Sequence, residues 1–207
     1  GHPDSTAVLS SGSGRHWPDA RGVFVNDASS LAVWVNEEEH LRAVVAHKGD
    51  DLQSAYKLIG DTLDGMVTSF HHHSDCPQGF AYSQRLGFLT SCPSNLGTAM
   101  RVSAIVQLPL LASRQGALLS EWCLQRRLAA RSAIGEHGAK MQGVMEISNR
   151  DRLGVSESET VNLLVNGVAE LVHAERLLEH GGAGLRPPLE PCPAPAPAPG
   201  AAAAAAT

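Results

Sequence analysis

The chain has 207 residues, a formal net charge of -5 at pH 7 and a pI near 6.0. Its length suffices for one medium-sized domain with a core of its own, and its acidic balance argues against nucleic acid and anionic membranes as partners. Four cysteines are too few for a disulfide framework, and no secretion signal opens the sequence. These features, with no apolar run of about 20 residues, predict a cytoplasmic protein with reduced thiols.

The N-terminal part of the chain predicts three strands and a helix. Residues 22–25, 31–35 and 41–45 are short apolar runs joined by short polar connections, which is typical of an antiparallel meander. From 50 to 70 the apolar residues recur at intervals of three and four, behind two aspartates that can cap a helix. This periodicity predicts an amphipathic helix.

The remainder of the chain predicts more strands and helices, followed by a tail. Ser156 and Glu159 have the spacing of a capping box, and the apolar residues after them mark one face of a long helix. Residues 183–207 contain Pro-Ala alternation and polyalanine, so they are predicted to be a disordered extension of a domain at 1–182. The other predicted elements are a loop at 71–84, strands at 86–90 and 102–106, a helix around 114–125 and a strand near 143–148.

Three consecutive carboxylates, Glu37, Glu38 and Glu39, lie in the connection after the second predicted strand. Carboxylates this close disfavour one another's ionised form unless a cation is present, so the turn could hold a guanidinium, an ammonium or a metal ion. A hydrated turn is the alternative interpretation.

A cysteine followed by a proline, Cys92-Pro93, lies between two predicted strands. The proline ends the preceding strand, and Ser94 could donate a hydrogen bond to a thiolate, which would favour a reactive sulfur. The alternative is an inert thiol, because free cysteine is among the most buried residue types. From the residues alone both interpretations stay open.

Three arginines, Arg42, Arg101 and Arg131, lie at the edges of predicted strands and have few acidic partners near them in the sequence. Guanidinium groups that converge on one cleft would match a polyphosphate, whereas scattered surface arginines would not. Sequence spacing does not distinguish these two arrangements.

Two loops contain further candidate ligands. Residues 131–138 are predicted to form a mobile loop, whose Glu136 and His137 are either substrate contacts or solvated residues. Histidines at 71–73 with Cys76 could chelate zinc, but no second ligand pair with zinc spacing follows, so no metal site is predicted. The sequence has no P-loop, GxGxxG or nucleophile-elbow motif.

Four segments in this order, WPDARG, WVNEEEHLR, CPSNLGTAMR and ISNRDRLG, resemble the catalytic domain of the ATP:guanidino phosphotransferases, the creatine and arginine kinase family. The resemblance covers about residues 1–180. It implies an α+β fold, with an antiparallel sheet flanked by helices, on which ATP with Mg²⁺ meets a guanidino substrate. The chain resembles only the later part of such an enzyme, so the isolated chain is expected to have little or no turnover.

The resemblance implies an acidic part of the site in the first half of the chain. Glu38 falls on the family's carboxylate that binds and orients the guanidinium, with Glu37 beside it. Cys92 falls on the reactive cysteine close to the same group. The thiol would then be an anion that positions the substrate.

A basic part and a substrate loop are implied in the same way. Arg42, Arg101 and Arg131 fall on arginines of the family that bind the nucleotide phosphates. The GEH sequence at 135–137 is similar to the mobile loop of arginine kinases, so Glu136 and His137 are implied to be substrate-loop residues.

The chain departs from the family pattern at Ile105, where the family has a histidine beside the adenine, and at Glu146, where it has an aspartate. Three functions stay open. The first is phosphoryl transfer from ATP to a small guanidino compound of the arginine or creatine type. The second is a non-catalytic binding or regulatory remnant of the fold, and the third is transfer to arginines within proteins, against which the WPDARG segment argues.

Overall fold

The computed structural model describes residue 9, residue 12 and residues 14–72, 79–134 and 140–186. The chain divides into two compact units, Gly1–Leu96 and Gly97–Thr207, each with an antiparallel three-stranded sheet. The predicted α+β class is confirmed, and the single domain predicted over 1–182 stays a prediction. Within these described ranges, no helix combines the length and the apolar character that a membrane span requires.

The first unit contains the meander that the sequence predicts. Its strands are β1 (Gly22–Val25), β2 (Leu31–Val35) and β3 (Leu41–Val45), at the predicted bounds. They pair antiparallel in the order β1, β2, β3. The Asn26 side-chain oxygen accepts two backbone hydrogen bonds of 2.9 Å from residues 30 and 31, which fixes the first turn.

The predicted amphipathic helix is α1, Leu52–His71. It begins behind Asp51, whose carboxylate accepts a hydrogen bond from the backbone N–H of Ser54 at 2.9 Å. The bonds from Ser54 hold the pKa of Asp51 below its usual value. One of the N–H groups that a helix start leaves free is therefore satisfied by an ionised cap.

A short hairpin follows α1 in the first unit. Strand β4, Tyr82–Ser83, pairs antiparallel with β5, Gly87–Phe88. The strand predicted at 86–90 is thus only two residues long. Gly87 at its start has a φ of 72°, which bends the chain. Edge-to-face contacts, with ring centroids 5.3 to 6.3 Å apart, join the hairpin to the end of α1 through Phe70, Phe80, Phe88 and Tyr82.

The second unit has a sheet with the strand order β6 (Ser103–Gln107), β8 (Lys140–Asn149), β7 (Leu128–Ile134), all antiparallel. One face packs on three helices, which are α2 (Pro109–Arg114), α3 (Gly116–Gln125) and α4 (Glu157–Glu179). The other face is open in this unit. The largest fully buried side chains between sheet and helices are Leu108, Leu111, Leu119, Cys123, Leu128, Ile147, Leu164 and Leu171.

Of the loop predicted at 131–138 in the second unit, residues 131–134 are wrong and residues 135–138 lie outside the described residues. The loop predicted from residue 131 begins inside strand β7, whose alanine-rich sequence has little strand propensity but pairs with β8 along its length. The helix predicted around 114–125 is confirmed as α3, and the separate helix α2 before it was not predicted; Gln115 leaves the helical conformation between the two with a φ of -133°.

Helix α4 begins and ends as predicted. The capping box is complete, because the Ser156 hydroxyl accepts from the Glu159 N–H at 3.2 Å and the Glu159 carboxylate accepts from the Ser156 N–H at 2.8 Å. Gly181 follows the helix with a φ of 75°. Leu185 is buried and its N–H donates to the Gln115 side chain at 2.9 Å, so the predicted tail packs on the core at its start. Residues 187–207 lie outside the described residues.

A buried carboxylate on α4 fixes the start of α2. Glu175 is only 4% exposed. Its two oxygens accept hydrogen bonds from the backbone N–H groups of Leu110 at 2.7 Å and Leu111 at 2.8 Å. These two donors belong to the first turn of α2, where a helix offers no backbone acceptor of its own. Glu175 thus caps a helix to which it is not adjacent in sequence.

Replacing Glu175 with glutamine should lower the free energy of unfolding by about 1.5 to 3 kcal/mol, because the amide offers one acceptor oxygen to two buried donors. Urea unfolding followed by circular dichroism would measure the loss. The matched control is Glu179→Gln, an exposed position on the same helix, for which we expect a change within about 0.5 kcal/mol. Equal stability of the two variants would contradict the capping role.

Candidate active site

The three carboxylates lie on the tight loop that joins β2 to β3. Asn36 begins this loop with a φ of 54°, and its N–H donates to the carbonyl of His40 at 2.9 Å. The Asn36 side chain donates to the carbonyl oxygen of Ala20 at 2.7 Å. Backbone closure and this side-chain contact hold residues 37–39 in one defined turn, which we call the carboxylate turn.

Each carboxylate of the turn has a different environment. Glu37 forms an ion pair with Arg42 of β3, with 3.3 Å between the nearest nitrogen and oxygen. Glu39 accepts three hydrogen bonds from the segment around Cys92. Glu38 is half-buried and has no hydrogen-bond or ion-pair partner among the described residues. Of the three, Glu38 is therefore the carboxylate that can accept a cationic ligand without first losing a partner.

The contacts of Glu39 join the carboxylate turn to the cysteine loop. One oxygen accepts from the N–H of Ser91 at 2.6 Å, and the other accepts from the N–H of Cys92 at 3.1 Å and the side-chain amide of Asn95 at 2.9 Å. Burial alone would raise the pKa of Glu39, but the bonds from Asn95, Cys92 and Ser91 outweigh it, so the pKa lies below the ordinary 4.5. Mutual repulsion of the three carboxylates, expected from the sequence, is not what dominates at Glu39.

Cys92 is partly accessible and its backbone is held on both sides. Its carbonyl accepts a hydrogen bond from the Thr90 hydroxyl at 2.8 Å, and its sulfur lies 3.0 Å from the hydroxyl oxygen of Ser94. The contact with Ser94 is the one predicted from the sequence. The inert buried thiol is instead Cys123, where burial raises the pKa to about 11.

A cleft of about 300 Å³ in the first unit is lined by the carboxylate turn on one side. Its other side is the WPDARG turn, which contributes Arg21, together with Arg15 and His16 before the turn. The Arg21 guanidinium lies 4.8 Å from the ring centre of Trp17 and donates to the carbonyl oxygens of Asp19 at 2.6 Å and Arg15 at 3.1 Å. Cationic side chains thus share this cleft with Glu38.

In the second unit, two predicted phosphate-binding arginines lie around Glu146. Ile105, Glu146 and Arg131 are register partners across β6, β8 and β7 and so lie on the same face of the sheet, the one away from the helices. Arg101, which precedes β6, pairs with Glu146 at 2.7 Å. Arg131 has no partner within the described part of the chain. In the structure Arg42 and Arg101 thus each have one acidic partner.

Asn149 fixes the backbone on both sides of Arg101. It is 5% exposed, and its side-chain oxygen accepts from the N–H of Val102 at 2.9 Å. Its amide donates to the carbonyl oxygens of Met100 at 3.1 Å and Asp151 at 2.9 Å. The asparagine of the ISNRDRLG segment is thus a structural partner of the residues that flank Arg101.

The predicted site residues fall into two groups. Glu37, Glu38, Cys92 and Arg42 belong to the first unit, and Arg101 and Arg131 belong to the second. Their roles stay a prediction. Glu136 and His137 lie outside the described residues, as do His73 and Cys76 of the weighed zinc site. In the described part of the chain no cluster of three His, Cys, Asp or Glu residues could hold a metal ion.

The roles of Glu39 and Asn149 do not follow from the sequence. In the sequence Glu39 is one of three acidic residues in a turn, and its partner Asn95 is 56 positions away. Asn149 bonds to Met100 across 49 positions. Polar residues that anchor a distant backbone have no local pattern, so only their place inside a recognisable motif could have indicated them.

Comparison with known proteins gives a consistent family. A sequence profile of the ATP:guanido phosphotransferase C-terminal catalytic domain matches residues 4–178. The chain is 41% identical over 162 residues to arginine kinase of Limulus polyphemus, and 38% identical over 179 residues to the testis isozyme of creatine kinase of Oncorhynchus mykiss. It is similar to the crystal structure of lombricine kinase with a TM-score of 0.72 and 36% identity.

These matches include most of this chain and less than half of each relative. The arginine kinase match covers 78% of this chain and 43% of that protein, and the creatine kinase match covers 86% and 45%. The structural match to lombricine kinase covers 82% of this chain and 45% of that chain. The chain therefore spans about half the length of the relatives it matches.

Replacing Asn149 with alanine should lower the free energy of unfolding by about 2 to 4 kcal/mol, because three hydrogen bonds are lost and a buried N–H is left unsatisfied. Asn166→Ala on the exposed side of α4 is the matched control, and there we expect a change within about 0.5 kcal/mol. Urea unfolding measures both. A loss at Asn149 no larger than that at Asn166 would show that its contacts contribute nothing.

The lowered pKa of Glu39 can be tested by acid titration. Nitrogen-proton correlation spectra would follow the amide proton shifts of Ser91 and Cys92 as the pH is lowered. We expect the two shifts to change together with a midpoint below pH 4.5. Because the folded pKa is depressed, the stability that Glu39 contributes is complete above its unfolded pKa and is lost as the pH falls through its folded pKa. A shared midpoint at or above 4.5 would contradict the hydrogen-bonded, ionised carboxylate.

Proposed function

Because the chain belongs to the ATP:guanido phosphotransferase family, we propose that its domain transfers the γ-phosphoryl group of ATP to a guanidino nitrogen of a small molecule. The observation that carries the proposal is that the three glutamates of the carboxylate turn differ in their partners. Glu37 and Glu39 have partners within the first unit, whereas Glu38 is half-buried and has none among the described residues. A substrate guanidinium would supply the missing partner.

Glu38 would bind and orient the guanidinium, and Cys92 would contact the same group. A carboxylate matches two parallel N–H donors of a planar guanidinium, which fixes both its position and its plane. An ionised Cys92 would add a second negative contact. The sulfur is partly accessible and has a hydroxyl neighbour in Ser94, which supports this role. Glu37 would stay beside Glu38 as an acidic neighbour held by Arg42.

Arg42, Arg101 and Arg131 would bind the nucleotide phosphates. Arg131 has no partner in the described ranges, so it can accept a phosphate directly. Arg42 and Arg101 would share or exchange their carboxylates, Glu37 and Glu146, when a polyphosphate arrives. Glu136 and His137 are proposed as substrate-loop residues on the resemblance alone.

Mg²⁺ fits this proposal as an ion held mainly by the nucleotide. Mg²⁺ commonly binds through substrate phosphates, water and one or two carboxylates rather than through a complete protein cage. Glu146 is a carboxylate on the same sheet face as Arg131 and could supply such a contact. The ion would neutralise phosphate charge when bound.

The reaction would be a direct transfer. A guanidino nitrogen attacks the γ-phosphorus, a P–N bond forms, the bond to the β-phosphate oxygen breaks, ADP leaves, and the proton of the attacking nitrogen passes to solvent. Such a transfer needs little covalent help from the protein, so its rate depends on alignment and on charge stabilisation. Holding two reactants in line can contribute up to roughly 7 to 11 kcal/mol, which exceeds the ~1.5 to 3 kcal/mol of a single hydrogen bond to a charged group such as Cys92 thiolate.

The substrate is proposed only as a guanidino compound of the arginine or creatine type. The relatives are named arginine, creatine, taurocyamine and lombricine kinases, so the matches do not select one of these compounds.

A cytoplasmic location belongs to the same proposal. It is supported by the sparse cysteines of the sequence.

A non-catalytic binding protein is the second candidate function. Ile105 is 72% exposed on the open face of the second sheet, where the family resemblance implies a histidine beside the adenine. An aliphatic side chain cannot donate a hydrogen bond to the base. This substitution favours weak nucleotide binding without turnover.

The two functions are separated by assays on a full-length version of the protein, because little or no turnover is expected of the isolated chain. We expect ADP release from MgATP that depends on arginine, creatine, taurocyamine or glycocyamine, and a loss of about 100-fold in kcat/KM for Glu38→Gln, as for removal of one charge-stabilising group. Asp61→Asn on the exposed side of α1 is the control for a lost carboxylate. Calorimetric MgADP binding without release of ADP in any mixture would favour the binding protein, and neither signal from the folded chain would contradict both.

A further inference from the structure

We propose that Glu39 is a positioning residue, whose carboxylate holds the cysteine loop to the carboxylate turn so that Cys92 and Glu38 can contact one guanidinium. This inference rests on the proposed function for the identity of the ligand. Its structural part, that Glu39 sets the place of Cys92, stands on the contacts of the first unit alone.

The contacts of Glu39 are directed at the backbone on either side of the thiol. Ser91 and Cys92 donate their N–H groups, and Asn95 donates its side-chain amide, at 2.6, 3.1 and 2.9 Å. Together these donors cover the start and the end of the short 3-10 turn Pro93–Asn95. One carboxylate therefore fixes the loop at both ends of the segment that follows the sulfur.

Only an ionised carboxylate can make this set of contacts. All three partners are donors, so the acceptor must offer lone pairs on both oxygens and carry no proton toward them. A glutamine would turn an N–H₂ group toward at least one of the donors. The hydrogen bonds that lower the pKa of Glu39 are these same contacts, so the group stays charged at neutral pH.

The neighbouring residues leave little freedom to Cys92. Its N–H is bound by Glu39, its carbonyl by the Thr90 hydroxyl, and its sulfur lies next to Ser94. With the backbone fixed on both sides, the sulfur position depends mainly on one side-chain torsion. Since Glu38 directly precedes Glu39, the residue that holds the thiol is bonded to the residue that would hold the guanidinium.

Within the carboxylate turn, one glutamate therefore positions the thiol and a different glutamate is left to bind the ligand. Glu39 uses its oxygens on the loop, so it has little capacity left for a ligand. Glu38 is the opposite case, because it has no partner among the described residues. A substrate that contacts both Glu38 and Cys92 would thus be sensitive to Glu39 without touching it.

The test is alkylation of Cys92 by iodoacetamide in the whole chain, read by peptide mass spectrometry. Glu39→Gln should raise the alkylation rate of Cys92 at least about fivefold, because the cysteine loop opens more often. The loss of one hydrogen bond to a charged group would permit a larger change than this. Glu39→Asp, which keeps the charge, should restore the rate to within about twofold of the original. Asn95→Ala removes one of three contacts and should give an intermediate rate.

Two controls identify a general loss of structure. Asp61→Asn removes a carboxylate at an exposed position of α1 and should leave the Cys92 rate unchanged. Cys123 is fully buried and should stay slow in every variant that is folded. If the alkylation rate rises at both Cys92 and Cys123, the variant is unfolded. In that case Asn95→Ala and Glu39→Asp decide whether Glu39 positions the thiol. An unchanged Cys92 rate in Glu39→Gln and Asn95→Ala would overturn the proposal.

Ligand protection distinguishes this proposal from the proposed function. Arginine or creatine, added with MgADP, should slow alkylation of Cys92 in the original chain and should protect Glu39→Gln several-fold less. If no guanidino compound protects the original chain but Glu39→Gln still reacts faster, the positioning role stands and the substrate class is wrong. If protection is equal in both chains and their rates agree, the substrate class stands and Glu39 does not position the thiol.

Discussion

Both units depend on backbone N–H groups that receive their acceptors from distant side chains. Glu39 accepts hydrogen bonds from backbone N–H groups of the cysteine loop, and Glu175 accepts them at the start of α2. Asn149 accepts one from the N–H of the residue that follows Arg101. A buried N–H without an acceptor costs roughly 1 to 3 kcal/mol, so each of these segments is more stable when it lies against its acceptor. The cysteine loop and the segment around Arg101 are held in this way, whereas the carboxylate turn is held by the pairing of β2 with β3.

The carboxylate turn illustrates how donors, and not residue types, determine what a side chain can do. Glu37, Glu38 and Glu39 are chemically identical and adjacent. Glu37 is reached by a guanidinium, Glu39 by three N–H donors, and Glu38 by no donor within the described residues. Because charge-assisted bonds strengthen with ionisation, the two partnered groups also relieve the repulsion that three free carboxylates would exert. The remaining charge of Glu38 is then available to a ligand.

Local patterns predicted the elements that local sequence controls. The meander at 22–45 and helix α4 agree with the structure because alternation, helical periodicity and a capping box act over a few residues. Strand β7 was missed because alanines carry little strand preference, and its conformation is imposed by pairing with β8. The motifs around Glu38 and Cys92 predict a candidate site, but the contact of Glu39 with Asn95 spans 56 positions and has no periodic signature.

The ion pairs of the arginines are compatible with phosphate binding. Arg42 and Arg101 are 53% and 40% exposed in their pairs with Glu37 and Glu146. Pairs this open to water contribute only about 0 to 1 kcal/mol, because solvent screens them and two side chains lose freedom. A polyphosphate offers more charge and more acceptor oxygens to the same guanidinium groups. Under the proposed function, exchanging a carboxylate for phosphate at either arginine would therefore require little energy.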